Sequence, residues 1–132
     1  MRHSNTIKIL GLALLVLFLA ACKTQPVYNV DGAPVTTASE GQPTMEQVKQ
    51  AIVRAGTSLG WRMEPARDGL IVATLVSRGH MAKVDINYTT SSYSINYKDS
   101  RDLDYDGEKI HKGYNRWIQN LDQRIRSRLI AL

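Results

Sequence analysis

The chain has 132 residues, a formal net charge of +5, 43% hydrophobic residues and a single cysteine. One cysteine excludes an intramolecular disulfide, so packing alone must hold any fold. The positive balance is too slight for the basic footprint of a nucleic-acid binder, and the length allows one small domain with a thin core.

Residues 1–8 carry Arg2 and Lys8 and no acid, and an apolar run from Ile9 to Leu19 follows, interrupted by Gly11. A positive start, a short apolar stretch and the small residues Ala20 and Ala21 have the pattern of a secretory signal. The run falls short of the about 20 apolar residues that a membrane-spanning helix needs. Removal of residues 1–21 would also take Arg2 and Lys8 out of the charge balance.

Leu19-Ala20-Ala21-Cys22 resembles the lipobox of bacterial lipoproteins. The resemblance implies cleavage before Cys22, a diacylglyceryl thioether on its sulfur and acylation of the new amino terminus, including palmitate. Several chains together give stable anchoring where one does not. Lys23 stands where an Asp would favour inner-membrane retention, so the implied location is the outer membrane, facing the periplasm.

Residues 23–43 contain Pro26, Pro34 and Pro43 with Gly32 and Gly41 and lack helical or strand periodicity. They read as a flexible tether spanning roughly 25 Å on average by square-root scaling. Three segments follow: signal peptide 1–21, lipidated Cys22 with tether 22–43, and a folded domain 44–132.

The domain opens with a helix. Thr44 and Gln47 form a capping box, Val48, Ala51, Ile52, Ala55 and Leu59 recur at helical spacing, and Gly60 marks the stop. Trp61–Pro65 is a short edge strand, because proline cannot donate to a ladder. Leu70–Val76 is nearly continuous in apolar residues and reads as a central strand. After the turn Arg78-Gly79-His80, Ala82, Val84, Ile86 and Tyr88 alternate with polar residues, and Tyr93, Ile95 and Tyr97 do the same. A polar, acidic loop covers 99–108. From about His111 to Leu129 a second helix places Ile110, Tyr114, Trp117, Ile118, Leu121, Ile125 and Leu129 on one face. The expected fold is α+β: an N-terminal helix, an antiparallel four-stranded meander and a C-terminal helix, both helices on one sheet face.

Chemistry-bearing patterns are sparse. Asp102-Leu103-Asp104-Tyr105-Asp106-Gly107 opens like a calcium loop, but Gly113 stands where the closing glutamate belongs and Lys109 where an apolar residue belongs. Beyond the signal segment only His80 and His111 could offer imidazole, against the three or four protein ligands of a zinc site. Neither a metal nor a cofactor is expected. There is no Gly-x-Ser-x-Gly, paired-histidine motif or phosphate loop. The chain is therefore expected not to be an enzyme. Tyr88, Tyr93, Tyr97, Tyr105 and Tyr114, with Trp61 and Trp117, read as core filling, with a sugar or peptide groove as the sharper alternative. Arg124, Arg126 and Arg128, joined by Lys112 and Arg116, make the second helix basic outside, either as a solvated face or as a contact for anionic headgroups.

The stretch from Trp61 to Leu121 resembles a group of small uncharacterised proteobacterial envelope lipoproteins through Val72–Leu75, Arg78–Ala82, Tyr93–Tyr97 and Ile110–Ile118. This resemblance implies an envelope location and transfers no activity. Its polar members, Arg78, His80, His111, Tyr114 and Asn115, are expected to cluster where the sheet meets the start of the last helix. The expected function is a non-enzymatic interaction module, bound to the membrane through its anchor, that engages an envelope protein or cell-wall glycan. An anionic-lipid or lipopolysaccharide-binding accessory and a small envelope hydrolase are the alternatives.

Overall fold

The computed structural model describes residues 23–132. The signal segment and Cys22 lie outside them. The described residues form seven strands and two helices: β1 (Thr24–Pro26), β2 (Val30–Pro34), α1 (Met45–Ser58), β3 (Arg62–Arg67), β4 (Leu70–Ser77), β5 (His80–Tyr88), β6 (Ser92–Arg101), β7 (Lys109–His111) and α2 (Lys112–Ile130). The architecture is α+β, as expected.

Both helices begin where their caps dictate. The Thr44 hydroxyl accepts from Gln47 N–H at 3.1 Å while Gln47 Oε1 accepts from Thr44 N–H at 2.9 Å. This reciprocal pair satisfies two donors that a helix start leaves open. At the other end of α1, Gly60 has φ +88°. There Gly60 N–H donates to Thr57 O and Trp61 N–H to Gly56 O, the pairing of a Schellman stop. Gly56 has a second role: a Cβ there would lie 2.2 Å from Met63 Sδ. A larger residue there would push the Met63 side chain out of its place against the helix.

Strands β3, β4, β5 and β6 form the expected antiparallel meander, but the sheet has five strands, in the order β2-β6-β5-β4-β3. The fifth is the correction to the tether. Residues 23–43 are folded in part: β2 pairs antiparallel with β6, Val30 opposite Ile95 and Ala33 opposite Tyr93. Val30 and Ala33 are buried in the core. β1 pairs with β7, Thr24 opposite His111, as a separate two-stranded sheet. Prolines and a bulge erase periodicity in this segment. At the bulge Gly32 takes φ +60° and donates its N–H to Ser94 Oγ at 2.9 Å. What recruits the segment is the otherwise unpaired edge of β6, which would expose a row of N–H and C=O groups.

A single hydrophobic cluster joins one sheet face to both helices. It contains Ile71, Ala73, Ala82, Val84, Ile86, Tyr93 and Ile95 from the strands, Val48, Ile52 and Ala55 from α1, and Tyr114, Ile118, Leu121, Ile125 and Leu129 from α2. The alternate strand residues (Val72, Thr74, Val76, Lys83, Asp85, Asn87, Ser94 and Asn96) are half-buried or exposed, because successive side chains point to opposite faces.

Candidate functional site

The molecule has two ends. At one, the β4–β5 turn, the end of β6, the loop 102–108, β7 and the start of α2 meet the amino-terminal strand. At the other lie the β5–β6 turn, the segment after β2 and the end of α2. Arg78, His80, His111, Tyr114 and Asn115 all lie at the first end. His80 Nδ1 donates to Asp102 O at 2.7 Å, and since a carbonyl only accepts, that nitrogen carries the proton. His111 N–H donates to the next carbonyl, Leu103 O, at 2.8 Å. The two histidines are thus tied to consecutive loop residues. His111 is also the N-cap of α2: its Nδ1 accepts from Gly113 N–H at 3.0 Å.

Tyr114 and Asn115 belong to the same end but lie beneath the surface. Asn115 is 7% exposed. Its Oδ1 accepts from Tyr28 N–H and its Nδ2 donates to Pro26 O, both at 2.9 Å. It clamps the link between β1 and β2, which is a structural use of its whole amide. Tyr114 is fully buried and its hydroxyl finds no partner among the described residues. Its ring meets Tyr97 edge-on at 5.8 Å, and Tyr97 in turn stacks on Tyr105 at 4.2 Å. Burial pushes the Tyr114 phenol well above the usual range, with Tyr97 and Tyr105 adding to it. Arg78, at φ +51° in the turn, is exposed and touches none of this group by hydrogen bond or ion pair.

The acidic loop is shaped by its own backbone and side-chain hydrogen bonds. Asp102 and Asp104 take φ +58° and +56°. Asp106 accepts from Lys109 N–H at 2.7 Å and Glu108 N–H at 2.9 Å, and these donors hold its carboxyl below the ordinary carboxylate value. Among the described residues no three His, Cys, Asp or Glu side chains converge as metal ligands. Beside the loop is an open depression of about 690 Å³ lined by Tyr97, Asp99, Asp102, Leu103 and Tyr105.

The three arginines do not share a surface. Arg124 donates to Ser58 Oγ at 2.8 Å, fastening α2 to the end of α1. Arg128 borders a groove of about 370 Å³ between the helices with Gln47, Gln50 and Arg54. Arg126 lies on the opposite flank, beside Pro34 and Thr36, with Nη2 3.1 Å from Asp122 Oδ2. At 100° per residue Arg126 points nearly opposite to Arg124 and Arg128, which lie one turn apart on the same side, so the three cannot make one patch.

Asp122 was not anticipated. It is 5% exposed and accepts from the Tyr93 hydroxyl at 2.5 Å. Burial, then the bond to Asp122, pushes the Tyr93 phenol far up, while contact with the Tyr93 hydroxyl, then the Asp122 charge, raises Arg126. Helical spacing carries the signal: Asp122 is four residues from Ile118 and lies on the apolar face.

Comparison with known proteins finds no matching family, no matching curated protein and no matching solved structure.

Proposed function

We propose that the protein is a lipid-anchored envelope module that binds a partner protein and catalyses nothing. Its anchor is Cys22, at the periplasmic face of the outer membrane. The observation that carries this reading is how the candidate side chains are employed. His80, His111, Asp106, Asn115 and Asp122 each spend hydrogen bonds on the fold itself. Meanwhile one whole sheet face has no described element packed on it. A general acid or nucleophile needs a proton or lone pair aimed at a substrate site; these groups are aimed at turns, caps and a buried tyrosine.

The uncovered face suits a protein more than a glycan. Val72 and Val76 stand there among Thr74, Lys83, Asp85, Asn87 and Asn96, with Val76 69% exposed, and the aromatic platforms that sugars favour lie on the core side or at the loop. A photoreactive residue placed at Val76, Asn87 or Asn96 in intact cells should give one discrete protein adduct. Only glycan adducts, or none beyond bulk lipid, would defeat the reading. No helix among the described residues is long and apolar enough to cross a membrane.

A further inference from the structure

The amino-terminal segment leaves almost no slack between the expected anchor and the fold. Lys112 N–H donates to Lys23 O at 3.0 Å, and β1 begins at Thr24, paired with His111. Cys22 is therefore covalently next to a residue already fixed at the start of α2. A tether that would lift the domain roughly 25 Å does not exist on this side of the fold. We infer that the lipid surface itself is a docking partner: the end of the domain around Lys23, the Ser77–His80 turn, Asp102 and Lys112 rests on the headgroups, with the long axis of α2 pointing away. The inference builds on the proposal that Cys22 carries the anchor.

Hydrogen bonds connect the elements of this end without a gap. Lys23 joins Lys112, His111 joins Leu103, and Asp102 joins His80. Lys23, Arg78, Arg101 and Lys112 are exposed here and form no ion pair among the described residues. Asp102 and Asp104 are exposed beside them. With both signs present, the short covalent link rather than charge sets the orientation, and salt should change it little. The geometry also removes the C-terminal arginines from the headgroups: at about 1.5 Å per residue, Arg124 and Arg128 sit about 18 and 24 Å along α2 from Lys112. The open sheet face then stands beside the bilayer, reachable by a partner in the periplasm.

The test uses the lipidated chain in nanodiscs of phosphatidylethanolamine and phosphatidylglycerol containing a gadolinium-headgroup lipid. Mass spectrometry before reconstitution establishes the diacylglyceryl group; its absence from Cys22 would overturn the anchored reading and this one with it. With the anchor present, amides of Arg78, Gly79, Asp102 and Lys112 should relax several-fold faster than those of Gly69, Thr90 and Ala131. Uniform relaxation, or enhancement running along Arg116, Gln119 and Gln123, would overturn the end-on orientation while leaving the anchor intact. Twenty Gly-Ser residues inserted between Cys22 and Lys23 should erase the contrast. Its persistence would show that affinity, not the short link, holds the end down, and would refute the inference.

Discussion

Two fully buried tyrosines sit at opposite ends of the core and are treated differently. Tyr93 reaches a buried carboxylate, which a partly exposed arginine neutralises. Tyr114 lies in an aromatic group with its hydroxyl unbonded among the described residues. The first is a polar junction joining β6 to α2 and the segment after β2. The second joins the same two elements by ring packing alone. A buried hydroxyl stabilises only when its partner is present and costs free energy when it is not. The structural weight of the two phenols should therefore differ in sign as well as in size.

The largest effect should come from the neighbour of Tyr114. Asn115→Ala leaves Tyr28 N–H and Pro26 C=O without their partner, and denaturant unfolding should show a loss of about 3 kcal/mol. Amide exchange in β1 and β2 should accelerate before the rest of the sheet is affected. Next, Tyr93→Phe should cost about 2 kcal/mol, because it strips a buried charged acceptor of its donor. An effect near zero would mean that Asp122 and Arg126 suffice alone.

The pH dependence follows from the raised phenols. Both tyrosines keep their protons in the fold at a pH where the unfolded chain, with an ordinary value of 10.0, gives them up. Above about pH 10 the unfolded state binds fewer protons, so stability falls as pH rises, by up to ~1.4 kcal/mol per pH unit for each group. Stability measured from pH 9 to 11 should show this decline, and Tyr93→Phe combined with Tyr114→Phe should flatten it. The smallest change is expected for Tyr114→Phe alone: within about 0.5 kcal/mol of neutral or slightly stabilising, since only an unpaired hydroxyl is lost. A loss as large as that of Tyr93→Phe would abolish the contrast between the two.

Local signals carried much of the fold. The capping box at Thr44, the left-handed stop at Gly60, and the alternations in β5 and β6 each depend on a few neighbouring residues, and all lie where spacing placed them. The candidate site was legible only in part. His80 and His111 do approach one loop, and Tyr114 and Asn115 do lie beneath it. That Asn115 is consumed by backbone 87 and 89 residues away has no local trace.

What the amino-acid sequence determined by itself is therefore the helices, the meander and the inward face of each, because hydrophobic period and caps act over short range. The tertiary structure alone decided that Thr24–Pro26 and Val30–Pro34 are strands and not tether, and that the Asp122 carboxylate meets the Tyr93 hydroxyl. Each depends on a group supplied by a distant element: the open edges of β6 and β7 for the strands, and the Tyr93 side chain for Asp122. A proline-dotted segment with no periodicity of its own pairs only when such an edge has already been built, and that edge exists only in the folded chain.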